Sequence, residues 1–395
     1  MTASPTFRST LLSQRAADIQ PFHVMELLRR ARELEAQGRD IIHMEVGEPD
    51  FGTPAPVVEA ATRFLAGGDV HYTPALGLPA LREAIARFYH DRFGADVAPE
   101  RIVVTAGASG ALMLALAATT DPGDEWLLPD PGYPSNRHLI RTFEGVARAL
   151  AVDAASRYQP RPEQVDAAWG ERTRGLMVAT PSNPTGTLLS VAEIAALHRR
   201  TRARGGVLLV DEIYQGLTYG VESASALGDP VLNAADDVFV VNSFSKYFGM
   251  TGWRLGWLVA PQGFVRELEK LAQHFFISPS TPAQHAALAA FAPATIAILE
   301  ERRHEFAERR DVLLPALRAL GFGIATEPQG AFYVYADVSA LADDSEALAR
   351  RMIEEAGVAA THGLDFGHHL PRRNLRIAYT THGARLLEAA ERMRW

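Results

Sequence analysis

The chain has 395 residues, of which 47% are hydrophobic and 22% charged, with no cysteine and a formal net charge of -8. At about 100–200 residues per domain this length suggests two or three domains, and the apolar fraction excludes disorder as the main state. The lack of cysteine excludes disulfides, cysteine-ligated metals and a cysteine nucleophile. The acidic balance argues against nucleic acid as the main partner.

No segment has the pattern of a membrane span or a secretory signal. The longest near-apolar run, residues 286–299, has 14 residues and contains Pro293, so it is too short to cross a bilayer. The first residues lack a basic stretch followed by an apolar block. We therefore expect a cytoplasmic protein that does not contact a membrane.

The first hundred residues predict two helices around a Gly/Pro-rich loop. Apolar residues at helical spacing predict a helix over 24–38, which ends at Gly38. Residues 41–46 form a short apolar run typical of a strand, and the loop GEPDFGTP follows it. A second amphipathic helix is predicted over 78–92.

Short apolar strands then alternate with helices. This alternation is typical of a mostly parallel sheet with helices on both faces, in which ligands bind at the carboxyl ends of the strands. Strands are predicted at 101–107, 125–130, the start of 175–186, 206–214, 237–245 and 254–260, and helices at 108–120 and 191–205.

The pattern changes after about residue 285. It predicts a long helix over 296–320, a strand in GAFYVYADV, a helix over 344–356 and a strand in NLRIAYT. The charged run ERRHEFAERR favours a solvated helix face. We expect an α/β fold with three parts: an N-terminal arm with part of the small domain (1–45), a large domain (46–284) and a small α+β domain (285–395).

Lysine is rare in this chain, which makes each lysine informative. Only Lys246 and Lys270 are lysines among the 39 basic residues. Arginine can replace lysine as a surface cation, but its guanidinium stays protonated and cannot attack a carbonyl. Lys270 lies in a helical pattern and is interpreted as an exposed charge. Lys246 follows a predicted strand, among serines and eight residues before Arg254, which suits a Schiff base to a phosphate-bearing aldehyde. A surface lysine in a loop is the alternative.

Three polar residues lie at or after the ends of other predicted strands. Asp211 ends an apolar strand, where a carboxylate is costly to bury without a cation such as a protonated pyridine nitrogen. A helix cap or an arginine partner would also explain it. Tyr214 could bond a phenolate oxygen or simply pack in the core. Asn183, in a rigid Pro/Gly-rich loop, could donate to a ring oxygen or to its own backbone.

Two further features suggest anion binding. The small residues Gly107–Gly110 stand between a strand and a helix, where free amides favour a phosphate, although an ordinary helix start explains them as well. Arg376 lies in an apolar strand, where it could grip a substrate carboxylate or form a structural salt bridge. The histidine pairs near the C-terminus lack a metal-ligand spacing, so no metal site is predicted.

The motifs, taken together and in order, resemble the class I/II aminotransferases, which are fold-type I pyridoxal-phosphate (PLP) enzymes. The resemblance covers nearly the whole chain, and the ordered set is far more specific than any single motif. The motifs are VGEPDF, HYTPALGLPALREAI, TAGASGAL, DPGDE, PDPGYP, PSNPTG, VDEIY, SFSKYFGMTGWRLGW, GAFYV and LRIAYT.

The resemblance implies a role for each matching residue. Lys246 would form the Schiff base with PLP and act as general base, and Asp211 would pair with the pyridine nitrogen. The other implied cofactor residues are Tyr214 and Asn183 at the ring oxygen, Tyr133 on the ring face, and Ala108, Ser109, Ser243, Ser245 and Arg254 at the phosphate. Tyr72 would reach the cofactor of a partner subunit, which implies a homodimer with shared active sites. Arg376, Asn183 and the Gly47 backbone would bind the substrate carboxylate.

The implied reaction moves an amino group from an L-amino acid to a 2-oxo acid by a ping-pong mechanism. Some aspartate-type relatives carry a lysine at the position of Ser109 to bind a distal carboxylate. Its absence, together with the segment Pro21-Phe22-His23, favours neutral, apolar or aromatic donors. Glutamate could still be accepted if Arg137 swings into the site.

Other activities share parts of this pattern. A PLP-dependent lyase acting on C–S or other bonds could keep every cofactor residue, whereas nothing specific favours a racemase or decarboxylase. A non-catalytic PLP-sensing regulator needs an N-terminal DNA-binding module, and only about one predicted helix precedes the first motif. A dinucleotide-dependent dehydrogenase is excluded because G-x-G-x-x-G does not stand between a strand and a helix.

Overall fold

The structure is a computed structural model that describes residues 11–394. Its helices are α1 (Gln14–Asp18), α2 (His23–Ala36), α3 (Ala55–Ala66), α4 (Pro79–Phe93), α5 (Gly107–Thr119), α6 (Pro134–Thr142), α7 (Pro162–Ala168), α8 (Val191–Arg202), α9 (Pro230–Ala234), α10 (Val265–Phe275), α11 (Thr281–Leu288), α12 (Pro293–Ala319), α13 (Ser345–Arg351) and α14 (Gly383–Arg392). Its strands are β1 (Ile42–His43), β2 (Ile102–Thr105), β3 (Glu125–Asp130), β4 (Val146–Ala151), β5 (Thr173–Ala179), β6 (Val207–Asp211), β7 (Val238–Ser243), β8 (Gly256–Val259), β9 (Tyr333–Asp337), β10 (Val358–Ala359), β11 (Thr361–His362) and β12 (Asn374–Ala378).

The largest sheet has seven strands in the order β2-β8-β7-β6-β5-β3-β4. Strand β8 runs antiparallel to both of its neighbours, and every other pair is parallel. The predicted mostly parallel sheet is therefore confirmed. Because β2, β3, β5, β6 and β7 run in one direction, their carboxyl ends meet at one edge of the sheet.

Both faces of this sheet are covered. Along β6, Leu208 and Val210 pack into one hydrophobic core, and Leu209 between them packs into another. Alternate side chains of a strand point to opposite faces, so the continuous apolar run of β6 requires cover on both sides. Helix α5 supplies cover on one face and contacts β2, β7 and β8.

Two smaller sheets are built mainly from the C-terminal part of the chain. Strands β11, β12 and β9 form an antiparallel sheet in that order, and β1 pairs in parallel with β10. Strand β1 thus joins an element that lies more than 300 residues later. The division at residues 45 and 284 stays a prediction, and residues 1–10 of the expected N-terminal arm lie outside the described part.

Three details differ from the predictions. Strand β4 was not predicted because its sequence VARALA lacks β-branched residues after Val146 and only Leu150 is buried, as befits an edge strand. The helix predicted over 344–356 stops at Arg351 and continues as a π-helical turn, Met352–Ala356. The run ERRHEFAERR lies in α12 but is not a wholly solvated face, since Phe306 and Arg309 are buried.

Between residues 11 and 394 no single helix is long and apolar enough to cross a membrane, although the pair Thr281–Phe291 and Pro293–Ala319, bent by 81°, passes the same test by length and composition alone.

Candidate active site

A cavity of about 260 Å³ lies at the carboxyl edge of the seven-stranded sheet. It lies where doubly covered sheets bind ligands, because side chains that follow neighbouring strands converge there. Most of the predicted site residues line it: Gly47, Ala108, Ser109, Tyr133, Asn183, Asp211, Tyr214, Lys246 and Arg376.

Lys246 is buried at one wall of this cavity, in the loop after β7. Its Nζ donates a hydrogen bond to the carbonyl oxygen of Gly47 at 2.6 Å. Burial and, to a lesser extent, the nearby cations Arg376 and Arg254 together lower the pKa of Lys246 to about 8, against the raising effect of Glu48. The amine is therefore neutral far more often near pH 8 than an exposed lysine, and a neutral amine is what attacks a carbonyl.

Asp211 ends β6 and reaches the cavity as a buried carboxylate. Its Oδ1 accepts a hydrogen bond from the Ile213 amide at 3.0 Å. No cationic side chain within residues 11–394 forms a salt bridge with it, and burial raises its pKa to about 6. A buried carboxylate of this kind is completed by a cationic ligand.

Arg376, on β12, is buried and also lines the cavity. Its Nη1 donates to Asn183 Oδ1 at 3.0 Å, and its Nη2 donates to the carbonyl oxygen of Glu45. The buried Nε has no partner among the described residues. Because Asn183 accepts from the arginine through its oxygen, its amide NH₂ is left as a donor to a ligand.

The first turn of α5 forms another end of the site. The first amides of a helix have no partner within it, so Ala108 and Ser109 present free N–H groups. The Arg254 guanidinium lies against this turn, since a Cβ on Gly107 would be 2.6 Å from its Nη2. Gly256 of β8 lets the turn pack closely, because a Cβ there would be 2.7 Å from the Ala108 nitrogen. Amides and a guanidinium at one helix start are suited to a phosphate.

The remaining predicted residues lie outside the cavity wall. Ser243 and Ser245 are buried next to it, and the Ser243 hydroxyl donates to Ser245 Oγ at 3.0 Å. Tyr72 is 80% exposed and does not reach the cavity of its own chain. Lys270 is confirmed as a helix-surface charge, since it lies on α10 with half of its side chain exposed and pairs with Glu267.

Several lining residues were not predicted. Tyr333 of β9 lines the cavity with its hydroxyl 2.8 Å from that of Tyr214. It stands inside the quoted motif GAFYV, which was the available signal. A second group of lining residues comes from the start of α2 and the turn after β11: Phe22, Val24, Met25, Asp365 and Phe366. An apolar residue at a helix start looks like any core residue in sequence, and of this group only Phe22 belongs to a segment with a predicted bearing on the substrate.

The residues present fit PLP. Asp211 supplies the buried carboxylate that a pyridinium nitrogen completes, Lys246 supplies the amine for the aldehyde, and the α5 amides with Arg254 suit the phosphate. These three groups have the chemistry that the three ends of the cofactor require.

Comparisons with known proteins agree with this geometry. Residues 39–393 match the family "Aminotransferase class I and II". The chain is 36% identical over 378 residues to a valine–pyruvate aminotransferase of Mycobacterium tuberculosis, covering 95% of this chain and 96% of that one. It is 37% identical over 386 residues to an aspartate/prephenate aminotransferase of Thermus thermophilus, covering 96% and 97%.

A solved structure shows the same fold. The crystal structure of an aminotransferase from Mycobacterium tuberculosis has a TM-score of 0.92 and 36% identity, with 97% of both chains covered. The family match includes both the loop after β7, which carries Lys246, and strand β12, which carries Arg376. The chain therefore belongs to the class I and II aminotransferases, a family of PLP-dependent transferases.

Proposed function

We propose that this aminotransferase binds PLP through the residues described above and takes neutral, apolar or aromatic L-amino acids as donors for a 2-oxo acid acceptor. The observation that carries the substrate class is the cavity lining. Its only cations among the described residues are Lys246 and Arg376, and both are committed to the cofactor and the α-carboxylate.

The wall available to a substrate side chain is mostly apolar. Phe22, Val24, Met25 and Phe366 line it, and Asp365 is the one ionisable side chain among them. Ser109, the position at which some aspartate-type relatives carry a lysine for a distal carboxylate, supplies no cation here. Arg137 does not line this cavity, and it donates to the backbone oxygen of Asp365 at 2.8 Å. A dicarboxylate donor would therefore bury its second charge unpaired, which is costly.

The relatives' names point to more than one substrate, since one acts on valine and pyruvate and another on aspartate and prephenate. Identity at this level therefore leaves the donor open, and the proposal rests on the lining residues of this chain.

The chain's own residues divide the work. Arg376 and the Asn183 amide hold the substrate carboxylate, so that the α-carbon faces Lys246. The Lys246 amine removes the α-proton and returns it at the next step, which its lowered pKa of about 8 permits near neutral pH. Asp211 keeps the pyridine nitrogen protonated, and Tyr214 and Asn183 donate to the ring oxygen. When bound, PLP supplies an electron sink for the negative charge that develops at the α-carbon.

The ping-pong order, the homodimer and the cytoplasmic location belong to the same proposal. The high exposure of Tyr72 supports a role across a subunit boundary. Mixing inactive Lys246→Ala and Tyr72→Ala proteins should restore activity if sites are shared, because one site of each mixed dimer then has both wild-type residues. Mixtures as inactive as their components would contradict shared sites.

The substrate class is tested with the PLP-loaded protein and single amino acids, without any 2-oxo acid. Aromatic and aliphatic donors should change the absorption of bound PLP and release one equivalent of the matching 2-oxo acid, which is the first half of a ping-pong reaction. Aspartate or glutamate reacting fastest would contradict the substrate class. Release of ammonia or a side-chain fragment would indicate the lyase alternative.

Two variants sharpen this test. Ser109→Lys should raise kcat/KM for glutamate relative to leucine by about tenfold or more, because a buried carboxylate gains a cation. Ser109→Ala is the matched control and should leave that ratio unchanged. An unchanged ratio in Ser109→Lys would place the distal end of the substrate elsewhere.

A further inference from the structure

Tyr333 contacts three residues to which the proposed function gives separate tasks. It is the first residue of β9, it is 1% exposed, and its side chain lines the cavity. The three residues are Tyr214 at the ring oxygen, Arg376 at the substrate carboxylate, and Gly47 beside the Lys246 amine.

The first contact is a hydrogen bond between two phenols. The hydroxyl oxygens of Tyr333 and Tyr214 are 2.8 Å apart, and their rings meet edge to face at 82°. Across the described chain neither hydroxyl has another hydrogen-bonding partner. If Tyr214 donates its proton to the cofactor ring oxygen, its own oxygen can only accept, so the bond runs from the Tyr333 O–H to Tyr214.

The second contact is between the Tyr333 ring and Arg376. The guanidinium carbon of Arg376 lies 4.5 Å from the Tyr333 ring centroid and 4.8 Å from that of Phe366. A guanidinium held over aromatic rings is attracted by their faces and is limited in its orientation. Tyr333 therefore restrains Arg376 through its ring, and it restrains Tyr214 through its hydroxyl.

We propose that Tyr333 is a positioning residue that directs the Tyr214 hydroxyl to the cofactor ring oxygen and holds Arg376 against the substrate carboxylate. This inference rests on the proposed function, because both tasks belong to it. The two halves separate by variant. Tyr333→Phe removes the hydroxyl and keeps the ring, whereas Tyr333→Leu removes both.

The first half is tested by titrating the absorption of enzyme-bound PLP against pH. A donor to the anionic ring oxygen favours its deprotonated form, so loss of the donor raises the titration midpoint. We expect a rise of about one pH unit in Tyr214→Phe and about half a unit in Tyr333→Phe. The double variant should match Tyr214→Phe, because Tyr333 acts through Tyr214.

The other ionisable groups around the site are the same in all four proteins, which makes their midpoints comparable. Those that line the cavity are Arg376 on β12, Tyr133 before α6, Asp211 at the end of β6, Lys246 after β7 and Asp365 after β11, and the charges of Glu48 and Arg254 act on Lys246 from nearby. A midpoint in Tyr333→Phe equal to wild type, or shifts that add in the double variant, would overturn the first half.

The second half is tested by the Michaelis constant of a donor amino acid. Tyr333→Leu should raise KM by about tenfold or more, and Tyr333→Phe by less than about threefold, because only the former frees Arg376. Equal KM values in the two variants would overturn it. If wild-type protein shows no absorption of covalently bound PLP, the proposed function fails first, and the role of Tyr333 fails with it.

Discussion

The Tyr333 hydroxyl occupies the space that a side chain on Gly47 would need. A Cβ built on Gly47 would lie 2.0 Å from that oxygen and 2.9 Å from the ring carbon that carries it. Gly47 does not have a positive φ, so the need for glycine here is one of space and not of backbone conformation. The carbonyl oxygen of Gly47 also accepts a hydrogen bond from the Lys246 amine. One glycine thus contacts both the Tyr333 hydroxyl and the Lys246 amine.

Gly47→Ala should impair substrate binding. The new methyl group must displace Tyr333, and overpacking of this kind costs about 1–3 kcal/mol. We expect kcat/KM to fall about tenfold or more, with partial recovery in Gly47→Ala/Tyr333→Phe. The matched control is Gly52→Ala in the same loop, where a Cβ meets no atom within 4 Å. Equal losses in the two alanine variants would contradict the clash.

Lys246→Ala should abolish turnover. It removes the amine that bonds the cofactor and moves the α-proton, and we expect kcat to fall by at least about 10³-fold. Steady-state rates and the absorption of bound PLP measure the loss. Lys270→Ala, which removes an exposed helix charge, should keep both at wild-type levels. Near-normal turnover in Lys246→Ala would exclude its assigned role.

Asp211→Asn should make the cofactor-free protein more stable and should weaken its binding of PLP. Burial raises the folded pKa of Asp211 from 3.8 to about 6, so ionised Asp211 destabilises the empty fold by on the order of 2–3 kcal/mol above pH 6. Asparagine carries no such cost. The gain in the free energy of unfolding should be full above pH 6 and fade as the pH falls from 6 towards 3.8.

Denaturant unfolding of the cofactor-free protein at several pH values checks this, together with PLP affinity. The control is Glu212→Gln, next along the chain, whose carboxylate already accepts hydrogen bonds from Ser225 Oγ and the Ala226 amide, each at 2.7 Å. It should not weaken PLP binding. A less stable Asp211→Asn protein that binds PLP normally would show that Asp211 is structural.

Uptake of PLP should follow the titration of Lys246. Only the neutral amine attacks the aldehyde, so the rate should rise with pH and level off near pH 8, the lowered pKa. The folded protein binds fewer protons at this site than the unfolded chain between pH 8 and the ordinary value of 10.5. The free energy of unfolding without cofactor should therefore rise across that interval.

Stopped-flow absorption measures the uptake rate, and Lys270→Arg serves as the background so that only one lysine reacts. The rise in unfolding free energy should be missing in Lys246→Ala. A rate that keeps climbing to pH 10 would mean that the amine is not desolvated in solution.

Asp50→Asn should loosen the loop that carries Gly47. Arg309 of α12 donates to both carboxylate oxygens of Asp50, at 2.8 and 3.1 Å, and to the Thr380 carbonyl oxygen at 2.7 Å. It therefore ties this loop to the end of the strand that carries Arg376. Because Asp50 is partly exposed, we expect substrate binding to weaken by about 1 kcal/mol. This corresponds to about a fivefold rise in KM with little change in kcat. Glu267→Gln, on an exposed ion pair, should change neither.

The sequence revealed residues whose chemistry conflicts with their surroundings. Asp211 and Arg376 are charged residues in apolar strands, and Lys246 is one of two lysines, so each required an explanation. The alternation of buried strands and helices predicted the sheet for the same physical reason, since a strand buried on both faces must be apolar throughout.

Residues that look ordinary in sequence escaped. Tyr333 and Phe366 fit any hydrophobic core, and their role follows only from what the fold places opposite them. The charged run that contains Arg309 predicts a solvated face, because helix periodicity does not show that a loop near residue 50 folds over one face of α12. Contacts between residues far apart along the chain carry this information, and local patterns do not contain it.

Because lysine is scarce in this chain, chemical labelling of lysine can report on a single side chain. Lys270 lies exposed on α10, and Lys246 lies buried in the cavity. In Lys270→Arg protein a lysine-directed reagent has one side-chain target besides the N-terminal amine, and mass spectrometry of the digested chain distinguishes the two. A change in the labelling of that single amine when amino acids are added to the PLP-loaded protein would rank candidate donors without any assay of their products.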